Sequence, residues 1–210
     1  MSSSLRAAAL AVAMLALITG CQAGSGVTVH SDDDQHPMAL YAGSGGFASS
    51  AEQRAPDGTW TTTFGSNFPC IANGPGPIVI DGVDWISDDG LDPLSVRVYL
   101  RTFDDSEFDP IASMVGTPLD NNYKDWSGTT QEGVEGFKVE RSCTENMDGK
   151  GQTDEMLVAV TADEGGGHVG DFTVRYTTPD GRRYAVVSDW QMHICGTEAS
   201  KDLCDGNPET

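Results

Sequence analysis

The stretch from Asn146 to Glu155 carries oxygen-bearing side chains at the spacing of a twelve-position calcium-binding loop. With Thr144 at position one, Asn146, Asp148 and Glu155 fall at positions three, five and twelve, and a glycine falls at position six. Ca²⁺ binds six to eight oxygen atoms on a loop that glycine allows to turn sharply. Thr144 stands where an aspartate is expected, and no helices are predicted on either side. Asn146, Asp148 and Glu155 are therefore candidate calcium ligands, and a solvated acidic loop between strands is the favoured alternative.

A second group of carboxylates lies around predicted turns. Paired carboxylates can perform the acid and base steps of glycoside hydrolysis. Aspartates are also common at turns because they hydrogen-bond their own backbone. No member is set apart from the others by its sequence context, so we predict no catalytic residue here. The group consists of Asp81, Asp84, Asp88, Asp89, Asp92, Asp104, Asp105, Glu107 and Asp109.

Four histidines occur in the chain, and two of them flank a run of aspartates. His30 and His36 enclose Asp32–Asp34 and have the residue types for loose metal binding, but a solvated charge run is the strongly favoured interpretation. His168 and His193 lie near a predicted hairpin loop and the last predicted strand. No nucleophile elbow, phosphate-binding loop or dinucleotide-binding glycine pattern is present in the sequence.

The N-terminus has the features of an export signal. Arg6 precedes an apolar run, Ala7–Ile18, whose helical length of about 18 Å is too short to cross a hydrocarbon core of about 30 Å. The run ends Ile18-Thr19-Gly20-Cys21, which resembles a bacterial lipobox. That resemblance implies cleavage before Cys21 and attachment of lipid to its thiol. We therefore predict that residues 1–20 are a lipoprotein signal peptide and that Cys21 anchors the protein to a membrane.

The remaining cysteines are even in number, which in an exported protein predicts two disulfides. They are Cys70, Cys143, Cys195 and Cys204, and three pairings are possible. Our first choice joins Cys70 to Cys195 and Cys143 to Cys204. Neither zinc binding nor redox catalysis by these cysteines is expected, because no Cys-Xaa-Xaa-Cys pair occurs.

Residues 21–57 are rich in Gly, Ser, Ala and Asp and predict a flexible tether after the lipidated cysteine. A disordered chain of this length has a mean reach of about 30–36 Å. Met38–Tyr41 is its one apolar island and has the composition to dock on the domain. The domain itself is predicted over residues 58–196, followed by a C-terminal tail over 197–210.

The domain shows the alternation of apolar and polar residues that is typical of β-strands. Leu94–Phe103 alternates in this way, Met156–Thr161 is suited to a central strand, and Thr178–Gly181 forms a Pro-Asp-Gly turn between two alternating runs. No persuasive amphipathic helix is present. The pattern predicts an all-β fold, an antiparallel β-sandwich of immunoglobulin-like type, with an open barrel as the alternative.

The order of these features resembles a family of small secreted lipoproteins found in actinobacteria. A Cys precedes Ile78–Val83, an alternating strand follows, and another Cys comes after Val139. An apolar strand, a Tyr-x-x-x-Asp-Gly hairpin and a terminal Cys195-Gly196 complete the order. The similarity spans residues 68–196 and implies a fold and a location. It implies no activity, because that family has no characterised function.

Charge and aromatic content narrow the function classes. The 210 residues carry a formal net charge of −20, which argues against nucleic-acid binding. The tryptophans, with Tyr99 and Tyr123, have the composition of a carbohydrate-binding platform, but we expect Trp85 and Trp190 to be core residues. We predict a lipid-anchored extracytoplasmic binding or accessory module of the cell envelope, with an envelope protein or polysaccharide as partner and no cofactor beyond the candidate calcium. An envelope hydrolase using acidic residues and a purely structural envelope protein are the alternatives.

Overall fold

The structure is a computed structural model that describes residues 26–41, 46–50, 57–87, 90–104, 110–120, 126–146 and 151–196. More than half of these residues lie in β-strands, and they include one short helix. The all-β prediction is therefore confirmed. Cys21 and the tail over 197–210 lie outside the described residues.

The elements follow one another from the N-terminal segment to the last predicted strand. They are β1 (Thr28–Ser31), β2 (Met38–Ala39), β3 (Gly46–Ser50), β4 (Trp60–Asn67), β5 (Cys70–Ile71), β6 (Ile78–Trp85), β7 (Ser95–Asp104), β8 (Ser113–Val115), β9 (Thr129–Glu132), β10 (Lys138–Val139), α1 (Cys143–Asn146), β11 (Gln152–Ala162), β12 (Gly167–Val169), β13 (Phe172–Thr177), β14 (Arg183–Ser188) and β15 (Gln191–Cys195).

The strands form two five-stranded sheets and two smaller ones. One large sheet has the order β1-β14-β13-β6-β10, and the other has the order β8-β4-β11-β7-β9. A three-stranded sheet joins β12, β15 and β3, and a two-stranded sheet joins β2 and β5. Most pairs are antiparallel, but β1 runs parallel to β14 and β3 runs parallel to β15. Both parallel pairs use strands that precede residue 58.

The predicted tether is wrong for much of its length. Residues 28–31, 38–39 and 46–50 are strands that add to sheets formed by later parts of the chain. Met38 and Leu40 are fully buried, so the apolar island does dock on the domain. Ordering this segment costs conformational entropy, which its polar composition alone does not offset. Here the burial of a few apolar side chains and the pairing of its strands with other strands offset that cost.

A single hydrophobic core connects the sheets. Both five-stranded sheets contribute fully buried side chains to it, and so does the strand β15. From the first large sheet come Ile78, Ile80, Phe172, Val174 and Val186, and from the second come Phe64, Met156, Val158 and Val160, with Met192 and Ile194 from β15. Burial of these side chains accounts for the main stabilisation of the domain.

The second large sheet is covered on both faces around its central strand. Along β11, Met156, Val158 and Val160 face the main core, whereas Leu157 and Ala159 join a second apolar cluster with Tyr99, Ile111 and Met114. The prediction of a central strand over Met156–Thr161 is confirmed, because β11 lies between β4 and β7. The alternating strand predicted over Leu94–Phe103 corresponds to β7. Leu94, the first residue of that prediction, lies just before β7 and is 57 % exposed.

The predicted Pro-Asp-Gly hairpin is also confirmed. Strands β13 and β14 pair antiparallel from Phe172 opposite Ser188 to Thr177 opposite Arg183. In the turn, the amide of Gly181 donates to the carbonyl of Thr178 at 2.9 Å, and Gly181 has a φ of 79°. A positive φ at this position favours glycine because it has no Cβ.

The predicted disulfide pairing is wrong. Cys70 is bonded to Cys143, with Cα atoms 4.8 Å apart. The backbone explains this pairing, because the amide of Ile71 donates to the carbonyl of Arg141 and Ile71 forms a parallel bridge with Ser142. The neighbouring cysteines are thereby brought together. Cys195 is also in a disulfide, and its partner lies outside the described residues, as Cys204 does.

Candidate functional site

The densest group of potential metal ligands in the described part of the chain lies in β1 and in the loop that joins it to β2. His30 lies in β1, and Asp33 and His36 follow in the loop between β1 and β2. One ligand atom from each of the three side chains lies within 4.8 Å of the others. This His–Asp–His cluster brings together three of the residues that the sequence marked as a charge run.

Strand β1 fixes the first member of the cluster. Thr28 and Val29 are β-branched residues that favour a strand, and β1 pairs with β14 so that His30 lies beside Val186. Residues opposite one another in a sheet share a face, and Val186 is fully buried. His30 therefore points to the interior, where it is 7 % exposed.

Both ring nitrogens of His30 have hydrogen-bond partners. Nδ1 lies 2.7 Å from the carbonyl oxygen of Ser31, and Nε2 lies 2.8 Å from the hydroxyl of Tyr176. A carbonyl oxygen accepts but does not donate, so Nδ1 carries the proton. The neutral ring consequently accepts from the Tyr176 hydroxyl at Nε2. That hydroxyl in turn accepts the amide of Met38 at 3.4 Å.

The other two members are tied to each other and to the loop backbone. The Nδ1 atom of His36 lies 2.8 Å from an Asp33 carboxylate oxygen, which also accepts the amide of Gln35 at 3.0 Å. Asp32 accepts the amide of Leu40 at 2.7 Å and so closes the loop toward β2. The side chains of His36 and Asp33 are 35 % and 32 % exposed, so solvent reaches this side of the cluster.

The four aromatic rings at this position form a compact stack. The rings of His30 and His36 are parallel, with centroids 4.1 Å apart, and those of Tyr176 and Tyr184 are stacked at 5.4 Å. His30 meets Tyr176 edge-on at 5.9 Å. These contacts join the N-terminal segment to the β13–β14 hairpin.

Burial and hydrogen bonding set the protonation of the cluster. Burial lowers the pKa of His30 below its ordinary value, and the nearby His36 acts in the same direction. The hydrogen bond from His36 is the main reason that the pKa of Asp33 is lowered. Burial raises the pKa of Tyr176 far above its ordinary range, so its hydroxyl stays protonated. At neutral pH the site therefore presents a neutral imidazole, a carboxylate and a phenol.

A shallow cleft of about 420 Å³ adjoins the cluster. It is lined by residues of β1 and β14 and by residues that directly follow these two strands. Val29 is 65 % exposed there, and the cleft has two carboxylates at its edges. The lining residues are Val29, His30, Ser31, Asp32, Val187 and Asp189.

Of the predicted calcium ligands, Glu155 is the one whose side chain the structure describes. Glu155 lies in β11 and is fully buried. One of its carboxylate oxygens accepts the amides of Ser66 at 2.9 Å and Ile111 at 2.8 Å, and the other accepts from Arg101 at 3.1 Å. With both oxygens engaged, Glu155 is not available to a solvent-exposed ion. Asn146 ends the helix α1, and Asp148 lies outside the described residues.

Arg101 and Glu155 form a buried ion pair on the face of the second large sheet. Their side chains are 1 % and 0 % exposed. Arg101 also donates to the carbonyl of Ser127 at 3.0 Å and lies over the rings of Phe103 and Trp126. Burial nevertheless raises the pKa of Glu155. These contacts make the pair a structural element of the β11–β7 face.

The acidic group around the turns is spread over the surface where it is described. Asp84 pairs with Arg175 at 2.7 Å on an exposed face, and Asp81 accepts from Thr177 at 2.7 Å. Asp88, Asp89, Asp105, Glu107 and Asp109 lie outside the described residues. Asp81 and Asp84 thus make their contacts at the exposed surface of the first large sheet.

The aromatic residues do not share one surface. Trp190 is 6 % exposed, which confirms it as a core residue, but Trp85 is 40 % exposed and the prediction of a core position is wrong. Trp85 ends β6 at the rim of its sheet, where its ring is only partly covered. Trp60 and Tyr99 are buried, Trp126 packs beside the second apolar cluster, and Tyr123 lies outside the described residues.

Sequence reasoning missed Tyr176 as a member of the site. It stands 146 positions from its partner His30, and its sequence context indicates only a strand that leads into the predicted turn. The remaining pair, His168 and His193, stacks with ring centroids 4.3 Å apart between β12 and β15, away from the cluster.

Two further observations concern location and relatives. In the part of the chain that the structure describes, no helix has the length and apolar character needed to cross a membrane. Comparison of the chain with protein-family models, with curated proteins and with solved structures gave no match.

Proposed function

We propose that this protein is a lipid-anchored extracytoplasmic binding or accessory module of the cell envelope. Its membrane contact is the lipid on Cys21, and its partner is an envelope protein or polysaccharide. In this proposal the two large sheets stack as an immunoglobulin-like sandwich, of the kind implied by the similarity to actinobacterial lipoproteins. The observation that carries the proposal is the Cys70–Cys143 disulfide, because disulfides persist mainly in the oxidising compartments of exported proteins.

The proposal limits how far the folded domain lies from the membrane, because the interval between the predicted anchor and the first strand is short. Cys21 precedes Thr28, the first residue of β1, by seven positions. At no more than about 3.6 Å per residue, this interval spans at most about 25 Å. The folded domain is therefore held closer to the membrane than the mean reach of a long tether would place it.

The cleft at the β1–β14 junction is the proposed binding site. It combines the exposed Val29 side chain with the carboxylates of Asp32 and Asp189. Its position on the first strand after Cys21 sets it near the membrane side of the domain. Removal of residues 1–20 takes away Arg6 and no acidic side chain, so the mature chain is slightly more negative than −20. This charge favours partners that are neutral or basic at the contact.

Metabolic labelling with an alkyne fatty acid tests the anchor. The wild-type chain is expected to take up label and to partition into the membrane fraction. Cys21→Ala is expected to lose both properties, whereas Gln22→Ala is a matched control because it keeps the thiol. Equal labelling of wild type and Cys21→Ala contradicts the proposal.

Photo-crosslinking in intact cells tests the binding site. A photoreactive amino acid is introduced at Val29 in the cleft and, as the control, at the exposed Leu119, outside the cleft. The proposal predicts a discrete adduct from position 29 that is weak or missing from position 119. Identical adduct patterns, or none from position 29, contradict a specific site in the cleft.

A further inference from the structure

The His–Asp–His cluster is the feature that carries an inference beyond the proposed function. Its three side chains present two imidazoles and one carboxylate from β1 and the loop that follows it. The inference does not depend on lipid anchoring, because every residue involved belongs to the folded domain.

We propose that His30, Asp33 and His36 bind one divalent transition-metal ion, with Zn²⁺ as the best match to the donors. Imidazole nitrogen suits zinc, copper, nickel and iron, whereas Ca²⁺ and Mg²⁺ require mainly oxygen ligands. Three protein ligands also leave a coordination position for water or for a group of a partner. The site is thus an open metal site at the surface of the domain.

The spacing of the donors is close to what such an ion requires. Ligand atoms about 2.0–2.2 Å from zinc are separated from one another by about 3.3–3.6 Å in a tetrahedral arrangement. The three donor atoms lie within 4.8 Å of one another, so the cluster has to contract for all three to reach one ion. The 2.8 Å contact between His36 Nδ1 and Asp33 already brings two donors together.

The hydrogen bonds of His30 orient it as a metal ligand. Its Nδ1–H is held by the carbonyl of Ser31 at 2.7 Å, which leaves the lone pair on Nε2. A backbone carbonyl that accepts the second ring N–H is the usual support of a metal-bound histidine. Tyr176 now donates to Nε2 at 2.8 Å, and its hydroxyl has to turn away when the ion binds.

The proton on His36 Nδ1 is the other group that must move. This nitrogen donates to Asp33, and a metal ion takes the place of that proton between the two side chains. With Nδ1 bound to the ion, the imidazole carries its proton on Nε2. The partial exposure of His36 and Asp33 gives the ion a route from solvent.

Strand pairing holds the loop at both ends. Strand β1 is fixed to β14 before the loop, and β2 is fixed to β5 after it. Asp32, which accepts the Leu40 amide, is engaged in closing the loop and is not assigned as a ligand. The donors are therefore presented on a closed loop of the folded domain.

Titration of the full-length protein, purified in detergent and stripped with a chelator, tests the proposal. Isothermal calorimetry with Zn²⁺ is expected to show one ion per chain with micromolar or tighter affinity. Co²⁺ is expected to give the visible absorption bands of an ion bound by nitrogen and oxygen ligands. These bands report direct ligation, which nonspecific binding of the ion would not produce. His36→Gln and Asp33→Asn are each expected to weaken Zn²⁺ binding by at least about tenfold.

Matched variants make the test decisive. His193→Gln removes a histidine from the separate His168–His193 stack and is expected to leave Zn²⁺ affinity unchanged. Near-ultraviolet circular dichroism verifies that each variant is folded. Unchanged affinity in His36→Gln, a loss confined to His193→Gln, or the lack of saturable binding to the wild-type chain overturns the proposal.

Discussion

The Nε2 atom of His30 lies 2.8 Å from the hydroxyl oxygen of Tyr176, which joins the N-terminal strand to the hairpin near the end of the domain. The same hydroxyl accepts the amide of Met38, so it serves both ends of the β1–β2 loop. This relationship explains how a segment rich in Asp, Ser and Gly becomes part of the folded domain. It also sets the orientation of the His–Asp–His cluster.

Tyr176→Phe is expected to lower the free energy of unfolding by about 1–3 kcal/mol, because it leaves the buried His30 Nε2 and the Met38 amide without this partner. Urea denaturation followed by fluorescence measures the change. Tyr184→Phe is the control, since Tyr184 stacks on Tyr176 but does not bond to His30. Equal stability of Tyr176→Phe and wild type is evidence against the described bond.

The stability of the protein is expected to fall as the pH is lowered below 6.5, the ordinary pKa of a histidine. Burial lowers the pKa of His30 in the folded state, so the unfolded chain binds a proton at a higher pH than the folded chain does. The contribution of His30 to the free energy of unfolding is fully present above pH 6.5. It is lost as the pH falls toward the lowered pKa that His30 has in the folded state.

Urea unfolding of wild type and His30→Gln at about pH 7.5 and about pH 5 measures this contribution. The variant is expected to lose less stability between the two conditions than wild type loses. His193→Gln is the control and should keep the wild-type difference. A pH dependence that is the same in His30→Gln and wild type would rule out His30 as its source.

Arg101→Leu is expected to lower the free energy of unfolding by about 3–5 kcal/mol, because it leaves the Glu155 carboxylate buried without its charged partner. Adding Glu155→Gln to that variant removes the uncompensated charge and keeps an oxygen for the amides of Ser66 and Ile111. The double variant should therefore be more stable than Arg101→Leu, as judged by denaturant midpoints. A double variant that is less stable than the single one contradicts this description of the pair.

Peptide mapping without reduction is expected to recover Cys70 linked to Cys143. The bond joins cysteines 73 positions apart, for which the chain-entropy model gives a stabilisation of about 4 kcal/mol. The Cys70→Ala/Cys143→Ala double variant should lose stability of that order in urea. Recovery of a Cys70–Cys195 peptide would restore the pairing that sequence order favoured and contradict the structure.

Periodicity in the sequence was sufficient to predict the all-β class, the central strand β11 and the Thr178–Gly181 turn. These features depend on residues close together in the chain, where alternation and turn chemistry act directly. Strands β1 and β2 are four and two residues long, too short for any periodic signal, and each pairs with a distant strand. Composition therefore predicted a tether where pairing produces strands.

The candidate site was predictable only in its parts. His30 and His36 were identified as a possible loose metal site, but nothing in the local sequence pointed to Tyr176 or to the burial of His30. The even number of cysteines predicted that they form disulfides, but it did not predict which cysteines pair. The Ile71–Ser142 bridge determines the pairing of Cys70 with Cys143. Glu155 fitted a calcium loop by spacing, but the strand β11 carries it into contact with Arg101.

The claim on which the site and the anchor spacing both depend is that residues 28–40 are folded onto the domain. Hydrogen exchange of the full-length protein, followed by mass spectrometry, tests it directly. The amide of Asp32 donates to the carbonyl of Val187 at 3.1 Å, and that of Leu40 donates to Asp32 at 2.7 Å. Peptides covering 28–40 are expected to exchange slowly, on the timescale of peptides from β14. Complete exchange of 28–40 at the first time point, with β14 still protected, would contradict the account.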